Sequence, residues 1–319
     1  MEEYPRTLME LESRFSSEEA CRSYLASLRW PEGFVCSRCA HRVVWEKSNR
    51  LLACAACHYQ TSVTAGTIFE RMRTPLPLFF RAIWWVVTQK NGASALGLQR
   101  ILGLGSYETA WTWLHKIRHA MVTPGRADLG GEIEVDETYL GGLEEGVEGR
   151  QTFKKALVAV AAQVDGKRIG RIRMRRIPDA GGKSLLDFIT ASVAPGSLVH
   201  TDGWPGYAGL AKKGYGHKVT VVKNSGMNAH ELLPRVHLVV SLLKRWIQGT
   251  HQGAISPAHL DSYLDEFTFR FNRRTSRSRG KLFYRLLQNA MSVEPAPYKK
   301  IIKDIRDKPE HGHRRSNRS

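Results

Sequence analysis

Two groups of side chains in this 319-residue sequence have types and spacings that could do chemistry. The first lies in FVCSRCAHRVVWEKSNRLLACAACHYQ. There Cys36 and Cys39 form one C-x2-C pair, Cys54 and Cys57 form another, and fourteen residues separate the pairs. Two such knuckles can bring four thiolates to one tetrahedral Zn²⁺ at about 2.3 Å each, and four protein ligands leave no open coordination position, so the expected ion is structural. The competing reading, two disulfides, suits small chains in oxidising compartments better than a chain of this length. The fifth cysteine, Cys21 in SSEEACRSYLASLRW, reads as a small buried residue on an amphipathic helix that Ser16 and Glu19 open as a capping box.

The second group is two carboxylates and an imidazole. Asp136 sits in GEIEVDETYLGG, Asp202 closes SLVHTDGWPGY, and His237 interrupts LPRVHLVVSLLKRWIQGTH. Two aspartates held side by side are hard oxygen ligands for Mg²⁺. A pair of such ions can serve the attacking and the leaving oxygen of a phosphodiester. Each aspartate also has a plainer reading alone: Asp136 beside Glu137 as a solvated strand end, Asp202 as the opener of a turn with Gly203. His237, Ser241, Lys244, Gln248 and His251 recur at helical spacing beside an apolar face of Val236, Val239, Val240, Leu243 and Ile247. Any surface helix shows such stripes.

The elements that must hold these residues follow from periodicity. RVVWEKSNRLLA reads as strand, turn and strand between the cysteine pairs, which makes residues 31–72 a zinc ribbon after an N-terminal helix within 1–30. Residues 73–125 have helical periodicity, and the pair Ala93 to Leu102 and Ser106 to Met121, joined at Gly103-Leu104-Gly105, suits a helix-turn-helix as well as any αα-hairpin. As a helix-turn-helix it would bring Thr109, Thr112, Trp113, Lys116 and Arg118 near DNA. After a Pro/Gly linker come GEIEVDETYLGG, KKALVAVAAQV and KRIGRIRMRRI as three strands of a meander, then a helix from Lys183 to Val193, a short strand ending on Asp202, a fifth strand in KGYGHKVTVV, and a helix from about Pro234. Three strands, helix, strand, strand, helix is the ribonuclease-H-like order, an α+β or α/β fold with a mixed five-stranded sheet, over residues 130–290. Residues 291–319 read as a basic tail, disordered from Asp307-Lys308-Pro309, and GLEEGVEGRQTFKK as a mobile loop that approaches DNA.

The ribbon, EVDETYLGG, HTDGWPGY, SLLKRWIQGTHQG and LDEFTFRFNRR together resemble the bacterial insertion-sequence transposases of the ISXO type, which carry a DDE-class nuclease domain. The resemblance spans about residues 15 to 290. It implies that Asp136 and Asp202 are the first and second catalytic residues, that His237 stands at the third position, and that Lys244 is the basic residue following it. The family places Glu, Asn or His at the third position, and the 34 residues between Asp202 and His237 agree with its spacing. Glu231 is a rival as a harder donor, but six residues from His237 it lies on another face, with Pro234 as the helix start. Asp261, Asp265 and Glu266 are further rivals, expected on a helix surface. Two Mg²⁺ or Mn²⁺ ions at Asp136, Asp202 and His237 are implied, Mn²⁺ being better matched to a nitrogen donor.

A net charge of +18, with Lys and Arg spread along the chain, makes a polyanion the expected partner. Lys116, Arg118, Lys244, Arg245, Arg270, Arg273 and Arg274 are the candidate contacts to double-stranded DNA. Trp204 and Trp246 are candidates for stacking on bases or for packing at the rim of the site. The run LPLFFRAIWWVV is too short to span a bilayer, and the acidic N-terminus does not read as a secretory signal, so a cytoplasmic, nucleoid-associated protein is expected. The function expected is a transposase that cuts and joins element ends as a dimer or larger assembly. The alternatives are a DNA-binding protein without catalysis, whether regulator or relic, and a structure-specific nuclease.

Overall fold

The computed structural model describes residues 4–123, 125–141, 155–221, 229–253 and 255–306. The expected mobile loop, apart from Lys155, and the expected disordered tail from 307 lie outside these residues. Helices α1 (Leu8–Arg14) and α2 (Glu18–Arg29) precede an antiparallel ribbon of β1 (Val44–Glu46), β2 (Leu52–Cys54) and β3 (Gln60–Thr61). Helices α3 (Leu76–Thr88), α4 (Ala95–Leu102) and α5 (Tyr107–Ala120) follow. The N-terminal segment is thus two helices. The second is capped by Ser17, which accepts from Ala20 N at 3.1 Å, and not by Ser16 as the capping-box reading has it. Ser106 caps α5 as expected, accepting from Thr109 N at 3.1 Å.

The remaining elements are β4 (Glu132–Leu140), β5 (Ala156–Asp165), β6 (Arg168–Ile177), α6 (Gly182–Thr190), β7 (Leu198–Thr201), β8 (Gly216–Val219), α7 (Ala229–Leu232), α8 (Pro234–His251), α9 (Leu260–Asn272), α10 (Arg279–Ser292) and α11 (Tyr298–Arg306). The strands order as β6-β5-β4-β7-β8, antiparallel across β6, β5 and β4 and parallel across β4, β7 and β8. This is the expected ribonuclease-H-like sheet. Ala156 to Ala162 of β5 are all buried because both faces are covered, which is why that strand reads as a continuous apolar run. Val158 and Val160 meet Val236, Val239 and Leu243 of α8 on one face. Ala159 and Ala161 meet Leu185, Phe188 and Ile189 of α6 on the other.

The open edge of β6 is closed by α9. Asn272 accepts from Ile172 N at 2.7 Å and donates to Ile172 O at 3.1 Å, while Asp261 accepts from Arg176 N at 3.1 Å. Side chains that satisfy edge N–H and C=O groups remove a template for unwanted strand pairing.

Helix α10 falls mostly within residues 130–290, the span expected to form the catalytic domain, but packs elsewhere. Its Phe283, Leu286 and Leu287 join Phe80, Ile83 and Leu98 in the N-terminal core, so the chain returns to its first body after finishing the sheet. The two bodies are also bolted through α5 and α9. Glu266, fully buried, accepts from Arg118 Nε and Arg270 Nε at 2.8 Å each. Arg270 further donates to the carbonyls of Val86 (2.7 Å) and Gln89 (2.9 Å) at the end of α3. Among the described residues no helix is long and apolar enough to cross a membrane.

Candidate catalytic and metal sites

The four ribbon cysteines meet as their spacing requires. Cys36 Sγ lies 3.6 Å from Cys57 Sγ, Cys39 Sγ lies 3.5 Å from Cys54 Sγ, and all four sulfurs are within 4.8 Å of one another. The edge of a tetrahedron with 2.3 Å Zn–S bonds is about 3.8 Å, so the cluster has the size zinc needs. The two knuckles repeat one backbone pattern. Ala40 N donates to Cys36 O (2.9 Å) and Cys36 N to His41 O (2.9 Å); His58 N donates to Cys54 O (3.0 Å) and Cys54 N to Tyr59 O (3.0 Å). Ala40 and His58 take the left-handed conformation that closes each loop, with φ of 59° and 57°. Backbone N–H groups of Cys57 and Ala56 lower the Cys54 thiol and favour a thiolate there, while the crowding of the neighbouring sulfurs raises that of Cys39. Cys21 behaves as the small buried residue expected, its thiol pushed up to about 12 by burial.

The carboxylates are placed by the sheet. Strand β4 pairs in parallel with β7 as far as Glu134 opposite His200, and Asp136 and Asp202 each follow two residues beyond that pair, Asp202 just past the end of β7. Asp202 Oδ1 accepts from Trp204 N at 3.0 Å, fixing the turn that the plainer reading expects without turning the carboxylate away. Tyr207 records the convergence. Its buried hydroxyl donates to Glu137 Oε2 at 2.8 Å, and its ionisation is pushed well above the ordinary phenol range by burial, by Glu137, and by both Asp136 and Asp202. Asp136 and Asp202 are partly exposed, open to a ligand.

His237 joins them through a device that the sequence reading missed. Helix α8 begins with Pro234, and its N-cap residue Leu233 offers no side-chain acceptor. The buried carboxylate of Glu134 supplies one from β4, accepting from Arg235 N at 2.7 Å, Val236 N at 3.0 Å and Arg235 Nη1 at 2.9 Å. It thereby satisfies two of the orphan N–H groups of the first turn. Glu134 and Asp136 lie on one face of β4, so the strand that clamps α8 also carries the carboxylate that α8 reaches. His237 Nε2 stands 3.7 Å from Asp136 Oδ2. Parity along EIEVD held the signal for Glu134, a carboxylate on the buried side of a strand. Glu231 belongs to the separate short helix α7 and is exposed.

Among the described residues, the cysteines form the only set of three or more His, Cys, Asp or Glu ligand atoms lying within 4.8 Å of one another. Asp136, Asp202 and His237 are neighbours of suitable donor type, hard oxygens with one borderline nitrogen, which fits a divalent ion that keeps some water ligands.

The DNA candidates divide. Lys244 and Arg245 are exposed on α8, the helix of His237. Arg118 is 2 % exposed and has no face for a phosphate, and Arg270 is mostly covered, with three of its N–H groups committed to Glu266 and two carbonyls. Arg273 lies 4.1 Å over the Phe269 ring, and Arg274 lies 4.1 Å over the Phe271 ring while donating to Ile169 O. Lys116 is half-buried near Glu70. Helix α5 turns Trp113 and Arg118 inward with Leu114 and Ile117, which removes these two of the expected groove-reading side chains, while Thr109, Thr112 and Lys116 stay partly exposed. Glu266 is interior and Asp265 lies mostly covered, its carboxyl raised to about 7 by burial, so neither is the surface residue expected. Trp204 and Trp246 are anchored, donating to Ala180 O (2.8 Å) and Asn91 O (2.9 Å).

The family model for the ISXO2-like transposase domain matches residues 128–272, and that for the transposase zinc-ribbon domain matches residues 16–60. The first ends where α9 ends, before α10 returns to the N-terminal core. The chain is similar to the crystal structure of a pre-cleavage Mos1 transpososome at 11% identity, covering 68% of this chain and 79% of that one, with a TM-score of 0.27. It is similar to the Mos1 strand transfer complex at 12% identity, covering 70% and 77%, with a TM-score of 0.28. No curated protein matches the chain.

Proposed function

The chain belongs to the ISXO2-like transposases, and on that premise we propose that it binds the inverted-repeat ends of its own mobile element, cuts the DNA there and joins the 3′ end to a target. The observations that support this most directly are the parallel pairing of β4 with β7, which runs to Glu134 opposite His200 and so stops two residues short of Asp136 and of Asp202, and His237 Nε2 at 3.7 Å from Asp136. Divalent ions bound there, Mg²⁺ or Mn²⁺, would neutralise charge on the phosphodiester and activate the attacking oxygen. Asp136 and Asp202 supply the negative charge that holds them. His237 adds a nitrogen that either ligates or accepts a proton near neutral pH. Lys244 and Arg245, exposed two turns along α8, meet backbone phosphates and position the DNA without reading its sequence. Two copies pair the two ends, giving a dimer or larger assembly on DNA.

The test is strand transfer with end-containing oligonucleotides under Mg²⁺ and under Mn²⁺. Nicked and joined products are expected, with Mn²⁺ at least matching Mg²⁺. DNA binding without cleavage under either ion would show a relic, and cleavage without joining a nuclease. His237→Ala should lower joining by about a hundredfold, the scale of a general acid–base or ligand loss, while exposed Glu231→Ala stays within about threefold. The reverse ranking would move the third position to Glu231.

The ribbon holds one structural Zn²⁺ per chain. Elemental analysis should find one equivalent, and Cys54→Ser should lower it to well under half, because three thiolates leave the tetrahedron open. Full zinc retention in that variant would rule out the four-cysteine site.

A further inference from the structure

A cavity of about 320 Å³ opens where the linker before β4, the edge strand β6 and the end of α9 meet. Four guanidinium groups line it: Arg126 from the linker, Arg171 and Arg173 from β6, and Arg273 from the turn after α9. From this arrangement we infer that the cavity is an anion site built for a phosphate group, and that it holds a backbone phosphate of bound DNA. The second half of that inference rests on the transposase reading.

The arginines are fixed by neutral partners. Arg173, 5 % exposed, donates to Ala127 O at 2.7 Å and Ile172 O at 3.0 Å. Arg171 donates to Ala127 O at 3.2 Å and Asp128 O at 2.8 Å, and Arg273 to Phe269 O at 3.4 Å. Carbonyls orient a guanidinium without cancelling its charge, and each fork keeps further N–H groups. Opposing carboxylates are few. Asp265 is in the wall, its carboxyl raised by burial against the pull of Arg126, so it offsets at most one of the four positive charges. Asp128 is exposed on the linker. Arg173 carries the strain of this crowding, held down to about 10 by burial and by the repulsion of Arg126 and Arg171. An oxyanion with several acceptor oxygens is the ligand that relieves it, since planar guanidinium forks match phosphate geometry. The charge excess is pinned in a cavity at small-ligand scale. On the linker that joins the helical body to the sheet, it would fix DNA to both.

Arg126→Gln tests this, because Arg126 is exposed and its loss leaves the packed arginines in place. Inorganic phosphate at fixed ionic strength should raise the melting temperature of the wild type by a few degrees and that of R126Q by less than half as much. Wild type and R126Q are then titrated with duplex DNA by fluorescence anisotropy over a range of salt. R126Q should bind about three- to tenfold more weakly at low salt, with the slope of log K against log salt reduced by about 0.9, one phosphate's worth. If phosphate stabilises the wild type but R126Q binds DNA unchanged, the site serves a free anion and the assignment to DNA is overturned. If neither phosphate response nor DNA affinity changes, the anion site itself is overturned. A wild type that fails to bind DNA would instead sink the transposase reading, while the phosphate response still reports on the cavity.

Discussion

Asp136→Ala and Asp202→Asn should each lower strand transfer by on the order of a thousandfold, about 4 kcal/mol of transition-state stabilisation, while DNA binding stays within about threefold. The second substitution is the sharper one. Asparagine keeps an oxygen to accept from Trp204 N, the bond that fixes the turn at 3.0 Å, so only the charge is removed. Loss of activity would then be a loss of charge at the place where β4 and β7 converge. Stability gives an independent check. Burial first, then Glu137, then Asp136 and Asp202 push the ionisation of the Tyr207 phenol well above the ordinary range, so all three carboxylates act on one hydroxyl. Removing one relieves repulsion, so the melting temperature should hold within about 2 °C or rise, as expected where a site is arranged for chemistry and not for folding. A fall of more than about 5 °C together with lost DNA binding would make these aspartates structural and sink the assignment.

Local spacing made part of this site legible. C-x2-C pairs state their own geometry, and so the zinc ribbon could be read from four letters at fixed intervals. The strand order came from runs of alternating or continuous apolar residues, and it put Asp136 on β4 and Asp202 just past the end of its parallel neighbour β7. What escaped the sequence were partners far apart in it. Glu134 caps a helix about one hundred residues downstream, at Arg235 and Val236, and nothing near EIEVD records that helix. Likewise α10 has the same amphipathic pattern whether it packs on the sheet or on α3, and only the three-dimensional core decides. Arginine misled most. On paper Arg118 and Arg270 are charges in a basic chain, but each is needed by a glutamate that has no other way to be buried.

That glutamate carries the largest expected effect on stability. Glu266 is 0 % exposed and Arg118 is 2 % exposed. Burial alone would raise the Glu266 carboxyl, but Arg270 and Arg118 outweigh it and lower it to about 2. Glu266→Gln keeps the shape and removes the charge, leaving two guanidinium groups packed with no counter-ion. Breaking a buried pair in this way costs about 3–5 kcal/mol, a drop in melting temperature on the order of 10 °C. The comparison is Arg81→Ala, which removes the exposed pair with Glu12 at 3.2 Å and should cost less than about 1 kcal/mol. The sign with pH follows from the lowered carboxyl: the stabilisation is complete above the unfolded value near 4.3, and fades as pH falls towards 2. The gap between wild type and Glu266→Gln should therefore be full at pH 7 and narrow in acid. Because Arg118 belongs to α5, and Arg270 ties α9 to the end of α3, the break should also loosen the helical body from the sheet, seen as faster hydrogen exchange at Gln89 to Gly92 and in α5. Equal melting of the two variants, or an unchanged gap in acid, would mean that the triad contributes specificity of packing and little stability.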